Sequence, residues 1–220
     1  MEEKTHRSAA VRDGLGVGLA VGLSGLAFGA AAITAGLSVP QACVLSLLAF
    51  TGASQFALTG AVGAGGDLAA AALGGLLLGG RNTLYGLRLA ALLEVRGPRR
   101  LLAAHGVIDE TTAVALAQPT PQAARTGFVT TFASLYIAWN LTTLAGAYGT
   151  SFLGDPGVLG LDVVGPVAFL AILWPRLAER AELRRLAAIA AVIALCATPF
   201  LPPGVPVLLS AAAVLVVLAR

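Results

Sequence analysis

A charge-free run extends from Gly14 to Gly66, long enough for two helices of the roughly 20 residues that cross a bilayer. Within it, Thr51, Ser54, Gln55 and Thr59 recur at spacings of three and four, which on a helix puts them on one face. Polar groups in hydrocarbon need partners, so this stripe faces either protein or a watery cavity. Interhelical hydrogen bonding and substrate lining are both open to it. The first helix is expected over 14–36, with Gly14, Gly18 and Gly22 and then Gly25 and Gly29 spaced by four. Such small-residue faces let helix backbones approach closely, and the alternative is an unwound backbone near Ser24 and Gly25. The second helix is expected over 40–64, opened by a Ser38/Gln41 capping box with Pro40 in the first turn and broken at Gly65-Gly66-Asp67.

The later pattern is less regular. Residues 68–93 suit one span in length, but Gly74-Gly75 and Gly79-Gly80 interrupt them, and Arg81, Asn82 and Arg88 lie inside. Interrupted apolar segments of this kind point to a transporter binding site. Leu101–Gln118 is a further apolar segment, ended by Pro119 and Pro121. It is followed by a long helix at 126–153, a loop at 154–162, a helix at 163–175, a charged loop Arg176–Arg185, and last helices at about 186–200 and 205–219 joined by Pro202-Pro203-Gly204. The fold class is therefore all-α: a polytopic helical membrane protein with about eight helical segments, two of them candidates for re-entrant or broken helices. Residues 1–13 are expected as a solvated cytoplasmic tail, and 14–219 as a single transmembrane helical domain. The distribution of basic residues prefers 68–93 and 101–118 both re-entrant, whereas segment length prefers single crossings.

Composition agrees with this division. The chain has 220 residues, 57% hydrophobic and 11% charged, where soluble domains carry roughly 25% charged residues. The net charge of +3 is spread in short clusters beside apolar spans, as topology determinants are, and does not suggest nucleic acid. No cleavable signal peptide is expected, because the first apolar run is too long for one. Cys43 and Cys196 lie in apolar stretches and read as packing residues.

Enzyme chemistry is not expected. No Cys/His/Asp/Glu cluster has metal-ligand spacing, no phosphate-binding loop occurs, and neither metal nor cofactor is called for. Asp109-Glu110 is the strongest ionisable feature: adjacent acids in an apolar segment lose solvation and repel one another, which favours taking up a proton. The pair suits proton coupling or an ammonium substrate; the alternatives are an interfacial position or a salt bridge to Arg81 or Arg88. Arg81, Asn82 and Tyr85 share a face and form a second candidate, able to hold a carboxylate or to pair internally. Asn140 stands mid-helix near Tyr136 and Trp139, which read as packing or belt aromatics. Asp162 reads as a helix cap.

Several motifs in order carry a resemblance. Gly25-Leu26-Ala27-Phe28-Gly29, Ala35-Gly36-Leu37-Ser38 and Phe50-Thr51-Gly52-Ala53-Ser54-Gln55-Phe56 are followed by Arg81, Leu84-Tyr85-Gly86, Asp109-Glu110, Tyr136 with Trp139, and Leu159-Gly160-Leu161-Asp162 before Pro166 and Phe169. Over roughly 12–219 the chain resembles the AzlC family. It departs at Gly79, Asn82 and Ile108, where the family often has Asn, His and Thr. The resemblance implies a multi-pass permease component of the bacterial inner membrane, usually exporting branched-chain amino acids, with a small AzlD-like membrane subunit as partner. The expected site is then Ser54, Gln55, Phe56, Arg81, Asn82, Tyr85 and Asn140 for a small neutral amino acid, with Asp109 and Glu110 for proton coupling. The competing reading is a non-transporting scaffold or assembly subunit that stabilises a partner through its glycine faces.

Overall fold

The computed structural model describes residues 2–152, 177–201 and 205–210, with isolated positions at 167, 170, 174 and 212–214. The expected loop at 154–162 with Asp162, most of the helix at 163–175 with Pro166 and Phe169, Arg176, Pro202-Pro203-Gly204 and the end of the last helix lie outside the described residues. Among those described, the chain is all-α: α1 (Glu2–Gly22), α2 (Gly25–Thr34), α3 (Val39–Leu48), α4 (Gly52–Gly63), α5 (Leu68–Gly79), α6 (Arg81–Leu93), α7 (Arg99–His105), α8 (Asp109–Leu116), α9 (Pro121–Ser151), α10 (Ala181–Ala197) and α11 (Val205–Ser210).

The axis of the molecule is α9, against which α1, α2, α3, α6 and α8 pack. It begins at Pro121 and not at the expected 126, because Pro121 fits the first turn and the Thr120 side chain caps it by accepting from the Ala123 amide at 3.2 Å. Its 31 residues span about 46 Å at 1.5 Å per residue. Glu2–Thr34, taken across the α1–α2 junction, and Pro121–Ser151 are the described helices long and apolar enough to cross a membrane.

The α1–α2 junction is tightened and not unwound. The Ser24 amide bonds the Val21 carbonyl at 2.9 Å and the Leu26 amide bonds that of Leu23 at 3.1 Å, so hydrogen bonding continues through the turn in 3₁₀ fashion. The glycine stripe is a packing seam. A methyl at Gly29 would overlap the Thr143 carbonyl and come within 2.7 Å of the Ala147 amide; one at Gly14 would come within 3.0 Å of the Thr131 amide, and one at Gly18 within 2.9 Å of that of Leu135. The Thr142 hydroxyl donates to the Gly22 carbonyl at 2.6 Å, and Ser134 donates to that of Gly14 at 3.2 Å. The charged segment expected as a tail is helical from Glu2. No glycine or proline interrupts it before Gly14, the acids at positions 2 and 3 suit a helix N-terminus, and Ala10 is buried against Gly127.

The helix expected over 40–64 is broken. α3 opens on the capping box, with the Ser38 amide donating to Gln41 Oε1 at 2.8 Å and the Gln41 amide to Ser38 Oγ at 3.4 Å. It ends at Ala49, and Thr51 is extended at φ −154°, ψ 102° before α4 resumes. Gly65 at φ 78° then closes α4, and Asp67 caps α5 by accepting from the Ala70 amide at 3.0 Å. The segment 68–93 is interrupted at Gly80 by a tight turn, in which Gly80 keeps right-handed helical dihedrals and bonds the Leu76 carbonyl at 2.9 Å while the Thr83 amide bonds the Gly80 carbonyl at 3.0 Å. The segment expected at 68–93 is thus turned, and the segment expected at 101–118 divides at Gly106–Ile108. The latter's 7- and 8-residue halves reach about 10 and 12 Å, short of the roughly 30 Å hydrocarbon core. α10 begins at Ala181, so half of the expected charged loop is helical. Its Arg184 guanidinium turns back to the Leu177 and Ala178 carbonyls at 3.0 and 3.1 Å.

Candidate functional site

The three interruptions at 49–51, 80 and 106–108 lie together. A methyl at Gly79 would come within 3.2 Å of Ser54 Oγ and 3.9 Å of Thr51 Cγ2. Phe50, in the first break, has its ring centroid 5.9 Å from that of His105, beside the third. Arg81 Nη1, just past the second break, pairs with Asp109 Oδ2, just past the third, at 3.1 Å. Interrupted helices expose backbone groups that an intact helix would satisfy, and membrane proteins tolerate them where they line a site or are covered by protein.

Much of the first break is covered by protein. The Gln55 amide nitrogen donates to the Ala49 carbonyl at 2.8 Å and lies 3.4 Å from those of Leu45 and Ser46, while its oxygen accepts from Trp139 Nε1 at 3.0 Å. Carbonyls only accept and an indole N–H only donates, which fixes the orientation of this amide. The Tyr136 hydroxyl donates to the Leu47 carbonyl at 3.2 Å. Side chains from α4 and α9 thus take up carbonyls that the end of α3 leaves open. Gln55 is 1% exposed, and its amide is committed to these contacts. Trp139 stacks on Phe28 at 6.2 Å, meets Phe56 edge-on at 6.5 Å, and would be struck at 2.9 Å by a methyl at Gly52. On the other side of the break, Phe50, His105, Phe132 and Tyr136 form a ring cluster with Phe50 and Tyr136 at 5.0 Å.

Other polar groups nearby are not taken up. Among the described residues, five buried side-chain atoms lack a hydrogen-bond partner, and four of them are Ser54 Oγ, Arg81 Nε, Asn82 Oδ1 and Thr112 Oγ1, all beside the second and third breaks or facing them. Buried polar groups are almost always bonded, so this clustering marks the region as unlike the rest of the core. Asp109 and Glu110 occupy the first turn of α8, where the helix N-terminus favours negative charge, and both are half-buried. The preceding break is held by Thr111, whose hydroxyl donates to the Gly106 carbonyl at 2.6 Å and accepts from the Ile108 amide at 3.1 Å.

The structure therefore gathers Ser54, Gln55, Phe56, Arg81 and Asp109 around the breaks, leaves Asn82 at their edge, and separates Tyr85 and Asn140 from that centre. Tyr85 packs against the cluster of Leu89, Leu93, Val107, Ala115 and Phe128. Asn140 donates back to the Tyr136 carbonyl one turn earlier at 2.8 Å. Asn82 lines a cleft of about 880 Å³ between α6 and α7. Sequence reasoning missed Trp139 and Tyr136 as partners of the broken helix. Their polar ring atoms, set mid-span and away from an interface, were the available signal.

Interrupted helices meeting at a half-buried ion pair beside long apolar helices are the build of a membrane transport protein. The family model described as AzlC protein matches residues 16–153, and this chain belongs to the AzlC family. The match covers the described core from α1 to α9 and stops short of α10. The family is one of membrane transport, associated with branched-chain amino acids; its members work with a small partner subunit, and it is not a family of enzymes. No curated protein and no solved structure matches the chain.

Proposed function

We propose that this chain is the large subunit of a two-component secondary transporter of the bacterial inner membrane, exporting branched-chain or other small neutral amino acids in exchange for protons. Its N-terminus is cytoplasmic, residues 14–219 form one transmembrane domain, and a small AzlD-like membrane subunit completes it. The observation that supports this reading is the meeting of two helix breaks and the Gly80 turn around the Arg81–Asp109 pair, with buried polar atoms beside it that no protein group satisfies.

The substrate carboxylate takes the place of Asp109 on Arg81, since a guanidinium binds either carboxylate with the same geometry. Asp109, released from its cation, or the adjacent Glu110 takes up the proton. Ser54 Oγ supplies a hydrogen bond, and Phe50 and Phe56 provide apolar walls. Gln55, first read as a binding residue, serves by holding the break in shape. Against the scaffold reading, the Gly14–Gly29 faces it requires are occupied by α9.

Counterflow of labelled valine in proteoliposomes containing both subunits tests this. A charge-assisted hydrogen bond contributes about 1.5–3 kcal/mol, so Arg81→Gln is expected to lower counterflow by about tenfold or more. Asp109→Asn with Glu110→Gln is expected to retain counterflow but lose its response to a pH gradient. Wild-type rate and pH dependence in the acid variants would show the coupling role to be wrong. Wild-type protein that shows no saturable valine flux with its partner present favours the scaffold.

A further inference from the structure

The cleft between α6 and α7 is a feature that the transport site does not use. Its two ends differ in chemistry. At one end stand the exposed guanidinium groups of Arg96 and Arg100, while Glu94 beside them is paired with Arg125. At the other end is Asn82, whose side-chain oxygen is buried without a hydrogen-bond partner. Asn82 and Leu93 on α6 are separated by about 17 Å at 1.5 Å per residue, and the wall between them is apolar, formed by residues such as Leu87, Leu89 and Ala104.

Gly86 gives the cleft its clearest mark. It lies inside α6 and lines the cleft, yet a methyl there would meet nothing within 4 Å. Glycine within a helix costs about 0.5–1 kcal/mol relative to alanine. At Gly14, Gly25 or Gly29 close packing against α9 explains that cost; at Gly86, as at Gly16, Gly60 and Gly149, no neighbour does, and of these four Gly86 is the one that lines the cleft. What its missing side chain preserves is open space in the cleft.

We propose that the α6–α7 cleft is the vestibule through which a zwitterionic amino acid with an apolar side chain reaches the Arg81–Asp109 pair. This rests on the transport reading above. Arg96 and Arg100 attract the carboxylate, the leucine and alanine wall accepts the side chain, and Asn82 Oδ1 accepts from the ammonium group. The residue just before Asn82 is Arg81, already facing a carboxylate at 3.1 Å.

The test uses Gly86→Cys in a Cys43→Ala/Cys196→Ala background and Gly86→Trp in the otherwise native chain, each reconstituted with the small subunit. Valine is expected to slow maleimide labelling of the introduced cysteine several-fold. Gly86→Trp is expected to lower valine counterflow at least tenfold, whereas Gly60→Trp, at another open position, stays within twofold of wild type. Arg96→Gln with Arg100→Gln is expected to raise half-saturating valine several-fold at low salt, with the difference fading as salt screens the charges. Full flux in Gly86→Trp beside a normally active wild type overturns the vestibule. So does labelling that is indifferent to valine, or slowed by anionic lipid and not by valine. A wild-type protein without valine flux counts against the transport reading, and the labelling measurement still decides the cleft.

Discussion

The α1–α2 seam on α9 and the interrupted helices from α3 to α8 are built from the same small and weakly polar residues, yet they handle polarity in opposite ways. In the seam, glycines bring backbones close enough for the Ser134 and Thr142 hydroxyls to donate across to the Gly14 and Gly22 carbonyls. In the interrupted region, four buried polar atoms lack a partner among the described residues, and an ion pair sits half-buried where the Gly80 turn faces the break at 106–108. The contrast separates architecture from function: the seam is close to a fixed solid, and the breaks are where the molecule has polar capacity left for a ligand.

Substitutions placed in each region can break this contrast. The largest effect is expected from Gly29→Leu, where the new side chain would overlap the backbone of α9. Overpacking costs about 1–3 kcal/mol where side chains yield, and here backbone must move, so monodisperse protein on size-exclusion chromatography should be largely lost. Gly60→Leu, with open space around it, should elute normally. Equal behaviour of the two would show that the seam is not the rigid part.

Gln55→Ala is expected to have an intermediate effect. It leaves the Trp139 N–H unpaired, at about 1–3 kcal/mol, and removes the side-chain donor from the Ala49 carbonyl, which keeps the Thr51 amide, at about 0.5–1.5 kcal/mol more. At about 2–4 °C per kcal/mol for a chain of this size, thermal unfolding in detergent should shift down by about 5–10 °C. An unchanged Tm with weakened valine affinity would return Gln55 to the substrate site.

The smallest change in stability belongs to Ser54→Ala. Removing a buried hydroxyl that bonds to nothing should leave Tm unchanged or slightly higher, while counterflow falls several-fold if Ser54 faces substrate. A loss of Tm comparable to that of Gln55→Ala would instead place Ser54 among the structural latches.

How far these regions were legible in the sequence depends on the range of the interactions that make them. Ser38 with Gln41 is a local signal that announces α3, and Asp67 before α5 and Thr120-Pro121 before α9 are equally local, although along the chain they read first as a break and as the end of the preceding segment: the capping atoms lie within three residues of the amides they bond. The glycine spacing announced the seam because a four-residue period survives any choice of partner helix. The break at Ala49–Thr51 was not legible. The spacing of Thr51, Ser54, Gln55 and Thr59 fits an unbroken helix equally well, and the reason for the break lies in residues up to ninety positions away that take its carbonyls.

By itself, then, the sequence determined that the chain is helical and built for lipid, where α3 and α5 start, which face of the first helix is close-packed, and which few ionisable residues lie among apolar ones. Those are properties of composition, period and neighbouring residues. Only the tertiary structure decided that Gln55 bonds Trp139 and the end of α3, that Arg81 chooses Asp109, that three separate interruptions meet, and that Gly86 opens a cleft. Each of these depends on which atoms end up within about 3 to 4 Å of one another, and no spacing along a single chain specifies that.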